Sequence, residues 1–343
     1  MRWFQFAIFM WLTGGLVASD KTEVSFTWEN DTFLDYFGFD YVDRHYSQGF
    51  QLQVWLPDNE LKEGRKWGSL GSQIGWNLFG EWGKFGMDVE RTRGGWSVGQ
   101  KIYTPEVLAV GTGFVSVGPT GDQLQVNDRP YAGFLSFDAH WERRGRVRGI
   151  PTKDQVVWTL GIVGPAALGE EAQTWWHGIF DGVAPEGWRF QLDNEVVANL
   201  KGERQWLFRF GSRAGWKWDL MPSVGAEVGT VITSLNLGLE TRLGFGEVGL
   251  FNLPSMKPGR DWGAYFYASA RGRVVGRDIF LDGNTFSDSH SVEREVLRGE
   301  VSAGVGLRFR AFEGRVGWVR RSIEFEQQDV PNQYLSVSGT WRY

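Results

Sequence analysis

The sequence predicts an all-β chain: one transmembrane antiparallel β-barrel of about twelve strands, with a short helix in an extracellular loop. Three observations carry that expectation. Several segments alternate apolar and polar residues with period 2. The 343 residues include 47 Gly, 19 Trp, 9 Tyr and 25 Phe but no cysteine. Past the first twenty residues no apolar run is long enough for a membrane-crossing helix. Mean hydropathy is −0.31, which would argue for solubility in a helical protein. A transmembrane barrel escapes that test, because only every second residue faces lipid.

The composition also sets exclusions. Without cysteine there is no disulfide framework and no thiolate metal site, so a metal would sit on oxygen or imidazole ligands. A net charge of −5 gives no basic footprint for nucleic acid. Residues 1–19 read as an export signal. Arg2 supplies the basic start, Trp3 to Thr13 the apolar stretch and Gly14-Gly15 the break, with cleavage near Ala18 or Ser19. An uncleaved anchor is the alternative, although the stretch is short beside the roughly 20 residues a spanning helix needs. Residues 20–343 then form a single barrel domain.

Taken in order, the first strand covers 22–30 and the second 46–56. In the second, Phe50, Leu52, Val54 and Leu56 alternate with Gln51, Gln53 and Trp55. Residues 57–93 are rich in Gly and charge and read as an irregular connection. Strands follow at 94–104, 130–142, 154–164 and 188–200, and the rest lie between 204 and 343. Val156, Trp158, Leu160 and Ile162 share one face of the fifth. The last segment, Tyr334 to Tyr343, puts Leu335, Val337, Gly339, Trp341 and Tyr343 on one face. Its aromatic end resembles the C-terminal signal of bacterial outer-membrane barrels, which implies insertion by the barrel-assembly machinery. Lipid cannot satisfy exposed backbone groups, so the strands must close. With a periplasmic N-terminus, the loops 31–45, 105–129 and 165–187 are extracellular and bring several polar motifs to one end.

The 165–187 loop carries the chemistry most directly. Its Ala, Leu and Glu residues favour helix and Gly178 is a stop. Gln173 and His177 lie four apart, on one helical face, and Trp176 beside them would meet an acyl chain. A histidine acts as general base on water or a hydroxyl. A loop histidine packed among tryptophans is the plain alternative. Asn30-Asp31 ends the first strand, where Asx residues are common for turn reasons alone. Read functionally, the Asp31 carboxylate with its neighbouring amide suits a hard cation such as calcium, which would stabilise an ester oxyanion. His45 and Ser47, two apart on a strand, would face the same side. That spacing makes a minimal activated serine. The pattern around them, His45-Tyr46-Ser47-Gln48-Gly49, resembles the dyad of outer-membrane phospholipase A. Asp128-Arg129 offers a carboxylate–guanidinium pair that would fix a loop. His140 and His290 have no evident partners.

The motifs Trp28-Glu29-Asn30-Asp31, Tyr46-Ser47-Gln48-Gly49, Ile102-Tyr103-Thr104-Pro105 and Asp128-Arg129-Pro130-Tyr131-Ala132-Gly133 come in one order. They are followed by Gly161 to Pro165, Gly169-Glu170-Glu171-Ala172-Gln173, His177 and Gly187-Trp188. Together, over residues 22–200, they resemble the outer-membrane lipid A 3′-O-deacylase family. The resemblance implies a twelve-stranded barrel whose site lies between the wall and a loop helix. It also implies an extracellular-facing, calcium-dependent esterase acting on lipid A among the outer-membrane lipids. By motif position His177 is the base, while Asn30 and Asp31 bind or position the ion and the oxyanion. Gln173, Trp176 and Arg129 support substrate. Ser47 stands where the family usually has threonine; a hydroxyl is kept, and the nucleophile reading stays open. The stretch from Pro105 to Asp128 has Glu106 and Asp122 but no Lys or Arg to grip lipid A phosphates. Two alternatives stand: a Ser47/His45 hydrolase of phospholipid or lipid A, and a non-enzymatic channel or adhesin. A monomer is expected.

Overall fold

The computed structural model describes residues 22–31, 45–57, 59–60, 86–105, 127–179, 187–211, 215–246 and 262–342. The export signal read at 1–19 lies outside them, as do Glu106, Asp122 and most of the predicted 31–45, 57–93 and 105–129 connections. Among the described residues twelve antiparallel strands close into one barrel. They run β1 (Glu23–Asn30), β2 (His45–Trp55), β3 (Met87–Thr104), β4 (Ala132–Val147), β5 (Ile150–Val163) and β6 (Glu195–Trp206). There follow β7 (Trp216–Gly229), β8 (Ile232–Gly246), β9 (Trp262–Asp278), β10 (Leu297–Phe309), β11 (Phe312–Arg321) and β12 (Gln333–Arg342). Each pairs with the next. β1 pairs with β12 from Glu23↔Arg342 to Asn30↔Leu335, so the sheet has no open edge. Closure is what makes a sheet tolerable in lipid, since every ladder group finds a partner within the wall.

Period-2 alternation sorts the side chains between two media. Trp158 and Leu160 on β5 and Leu235, Leu237 and Leu239 on β8 point outward and are exposed to the lipid side. Inward positions carry charge, and the charge is paired: Arg93–Glu142 at 2.9 Å, Arg144–Glu142 at 2.6 Å and Arg242–Asp219 at 2.6 Å. Rings gather at the end where β7 begins and β8 ends. Phe210 meets Trp218 at 4.9 Å, Trp216 meets Phe245 at 5.7 Å, and Phe312 meets Trp341 at 4.3 Å. Such a girdle marks a membrane–water interface.

The opposite end holds two helices, α1 (Gly169–Ile179) and α2 (Ile279–Asp282). α2 turns into the barrel mouth: Ile279 and Leu281 are fully buried, and Phe280 stacks on Tyr103 at 4.1 Å. Asp278 caps it by accepting from the Phe280 amide at 3.1 Å. The chain after α2 is tied across the mouth through Asn284, which donates to the Asp193 carbonyl at 3.0 Å and to Glu195 at 3.1 Å.

Three boundary expectations are corrected. The third strand begins at Met87, not at 94, and Asn59–Glu60 pairs with Thr92 and Arg91, so 57–93 is not wholly irregular. Arg93 there faces the lumen and pairs with Glu142, while Glu90 pairs with Arg146 at an exposed position, so the strand has a loop-like composition. The predicted strand 188–200 starts only at Glu195; Trp188–Phe190 is a 3₁₀ turn. Strands β4 and β5 run on to a hairpin at Arg148–Gly149, past the predicted ends.

Candidate active site

The alternation on β3 fixes which side α1 occupies. Lys101 and Tyr103 line a lumen cavity, so Gln100 and Ile102 point outward. Gln100 Nε2 donates to the carbonyls of Ala167 and Leu168, at 2.7 and 3.1 Å, just before α1. Ile102, Tyr131 and Trp188 form a buried cluster against which Ala172 of α1 packs. α1 therefore lies on the outside of the wall, over β1–β4. Two glycines allow the close approach. A Cβ on Gly169 would meet Gly133 Cα at 2.9 Å and the Trp188 ring at 2.8 Å, which a real side chain cannot do.

The outward face of β1 completes the other border. Trp28 meets Trp176 of α1 with ring centroids 5.1 Å apart. Asn30 shares the face of Trp28 and sits one step further along. Its Nδ2 donates to the Ser47 carbonyl at 3.3 Å, while its Oδ1 is buried with no hydrogen-bond partner. Asp31 follows, fully buried. Ser47 lies at a bulge between Tyr46 and Gln48, which turns Tyr46 into the lumen and Ser47 outward. Its Oγ is 2.6 Å from Thr104 Oγ1. Asn30, Ser47 and Thr104 thus form a polar strip on the wall, bordered by the helix.

On α1, Gln173 is only 3 % exposed. Trp188 Nε1 sits 3.0 Å from its Oε1. Indole is a donor only, so the atom facing it must be the amide oxygen. Nε2 is then turned away, buried and without a partner. His177 lies one helical turn on, half-buried, beside Trp176. Glu170 and Glu171 in the first turn and His177 in the last agree with the helix dipole.

Other predicted residues go elsewhere. His45 has φ 67°, so the strand period breaks there and the expected His45–Ser47 approach is not formed. Its Nδ1 is 3.7 Å from Asp128 Oδ1 and its ring lies edge-on to Phe325. Asp128 takes the Arg129 backbone amide at 2.7 Å, not the guanidinium. The Arg129 guanidinium is buried inside, donating to the His45 carbonyl at 3.0 Å and to Glu324 at 3.3 Å. It braces the barrel mouth. Glu324, on the loop between β11 and β12, is a hub for these cations. Burial would raise its carboxyl, but Arg129, Arg321 and Arg298 together hold it down at about 2. The two histidines read as partnerless do have partners: His140 Nε2 is 2.8 Å from Ser97 Oγ, and His290 Nε2 is 2.6 Å from the Asp128 carbonyl.

Comparison with known proteins then decides the family. The profile of the family described as outer membrane protein LpxR matches residues 4–343. The chain belongs to the LpxR family. This is the outer-membrane lipid A 3′-O-deacylase family that the motifs resemble, and it locates the barrel in the bacterial outer membrane. The solved structure of LpxR from Salmonella typhimurium superposes with a TM-score of 0.68 at 16 % identity, covering 94 % of this chain and 100 % of that one. It shares the fold. The β domain of the Bordetella autotransporter BrkA matches at a TM-score of 0.45 and 11 % identity, over 94 % and 98 % of the two chains. No curated protein sequence matches the chain.

Within this LpxR-family barrel, sequence reasoning gave no role to Thr104 or Trp188, although both stand in the quoted motifs. The signal for Trp188 was the Gly187-Trp188 pair after the helix, a buried donor in search of an acceptor.

Proposed function

We propose that the groove between α1 and the outer wall is a carboxylic ester hydrolase site. It removes the 3′-linked acyloxyacyl chain of lipid A in the outer leaflet, from the extracellular side. One observation carries this reading: Asn30 Oδ1 and Gln173 Nε2 are buried without partners on facing borders of one groove. An unsatisfied buried polar group costs about 1–3 kcal/mol, so natural proteins keep such atoms mainly where function uses them. An acceptor and a donor held this way beside Trp28 and Trp176 suit a polar ester carried on an acyl chain.

The donor set fits calcium. Asp31 and Asn30 Oδ1 are hard oxygen ligands of the kind that ion takes. Among the described residues no three His, Asp or Glu side chains cluster at metal-holding distance. Calcium's remaining sites, out of roughly six to eight, would fall to other oxygens. When bound, the ion supplies positive charge opposite the developing oxyanion.

His177 takes a proton from water, and the hydroxide oxygen adds to the acyl carbonyl carbon while the π electrons move to the carbonyl oxygen. Gln173 Nε2 donates to that oxygen. Collapse breaks the bond to the sugar 3′ oxygen, which recovers the proton from His177. The products are a free fatty acid and a free 3′ hydroxyl. Ser47, held by Thr104, orients the strip and does not attack.

The test is hydrolysis of lipid A in mixed micelles by the purified barrel, with calcium or with chelator, followed by mass spectrometry. Chelation should abolish loss of the 3′ chain, and a serine-directed acylating probe should leave Ser47 unlabelled. Calcium-independent hydrolysis with Ser47 labelled would transfer the chemistry to the His45/Ser47 alternative. No specific observation favours a channel: paired charges cross the lumen, and α2 roofs its outer end.

A further inference from the structure

The lumen holds a second polar site, separate from the groove under α1. Beneath α2, roofed by Phe280 and Tyr103, lies a cavity of about 220 Å³. Six cationic and four acidic side chains line it. Most are matched. Arg129 meets Glu324 at 3.3 Å, Arg298 meets Asp278 at 2.6 Å, Arg321 meets Glu300 at 3.2 Å, and Lys201 meets Glu227 at 3.4 Å. Lys101 and Arg273 make no ion pair with an acidic side chain among the described residues. The pairing therefore leaves Lys101 and Arg273, which face each other across the cavity from β3 and β9, without an ion pair of their own, and the lining carries two more positive than negative charges.

A second feature points the same way. Three guanidinium nitrogens of this lining, Arg129 Nε, Arg273 Nε and Arg298 Nη2, are buried with no hydrogen-bond partner. Water would satisfy such donors but would not balance the charge. In a partly enclosed, low-dielectric space, cations of one sign focus the potential and concentrate counter-ions. A ligand that answers both needs carries several acceptor oxygens and up to two negative charges.

We propose that this lumen cavity binds a small tetrahedral oxyanion of the phosphate class, with Lys101 and Arg273 as its charge partners. The closed wall and the α2 roof keep lipid headgroups out, so the ligand is a free anion. The inference does not depend on the ester-hydrolase reading of the outer groove.

The experiment is a titration of inorganic phosphate into the full-length folded barrel in a phosphate-free, non-ionic detergent, followed by ³¹P line broadening. Ionic strength is held constant with chloride, and calcium is chelated so that no ion at Asp31 bridges phosphate to the outer groove. Wild-type protein should broaden the resonance saturably, and sulfate should compete. Lys101→Gln and Arg273→Gln should each weaken binding about tenfold or more, the loss expected for one charge-assisted hydrogen bond. Lys101 is solvent-exposed within the lumen, so its variant tests the site without disturbing packing; heat-modifiable gel migration confirms closure. Non-saturable broadening in the wild type, or equal affinity in both folded variants, would overturn the proposal.

Discussion

At the scale of single residues, the groove depends on which way one amide points. Trp188 settles that for Gln173, since its indole N–H accepts nothing and fixes the oxygen toward itself at 3.0 Å. The consequence is specific. Trp188→Phe keeps the aromatic contact with Tyr131, whose ring lies 5.2 Å away, but frees the amide to flip. We expect kcat on lipid A to fall roughly tenfold, below the 10²–10³ typical of losing an oxyanion donor outright. KM should stay near the wild-type value. A rise in KM at unchanged kcat would show that Trp188 only packs the helix. Gln173 and His177 were legible in the sequence through their four-residue spacing. Trp188 was not, because its contact to Gln173 depends on how the chain after α1 folds back. His45 failed for a local reason: its left-handed φ of 67° breaks the alternation that would have turned it toward Ser47.

At the scale of elements, α1 and the wall meet through glycine. The contact of Gly169 with Gly133 and Trp188 leaves no room for a Cβ, so Gly169→Ala must displace the helix start or the wall. The barrel ladder does not run through α1. The variant should insert and migrate as a folded barrel yet lose at least about tenfold in activity, as small misplacements of catalytic groups do. Unchanged turnover would mean that the helix position does not set the site. The helix itself was readable from Ala, Leu and Glu between Leu168 and Gly178. The start of β3 was not. Asp88, Glu90, Arg91 and Arg93 look like loop residues, yet Arg93 faces a lumen where Glu142 pairs with it at 2.9 Å. A barrel with a polar interior hides its strands in this way, since only the lipid-facing half of each is apolar. Trp188–Phe190 misled in the opposite sense: aromatic residues suited a strand, but they close a turn beneath α1.

At the scale of the whole molecule, closure and roofing are separate. The β1–β12 seam makes the barrel, whereas charge pairs hold its outer mouth. Glu324 is the centre of those pairs, held at about 2 against an ordinary 4.5. Its folded-state value is depressed, so its stabilisation is fully present above about 4.5 and is lost as the pH falls toward 2. The depression corresponds to on the order of 3 kcal/mol. Thermal unfolding followed from pH 6 down to pH 2.5 should show a falling midpoint in wild-type protein. Glu324→Gln should be less stable at pH 6 and flatter across the window. Parallel curves for the two proteins would remove Glu324 from the account of the mouth.

The proposed chemistry assigns deacylation of lipid A in the outer groove to His177 and a calcium ion at Asn30–Asp31. Mass spectrometry of lipid A from cells expressing wild-type protein or His177→Ala, grown with calcium and then treated with or without chelator, tests it most directly. Loss of the 3′-acyloxyacyl mass is expected only with wild-type protein and calcium. The same loss with folded His177→Ala, or with calcium removed, would contradict it.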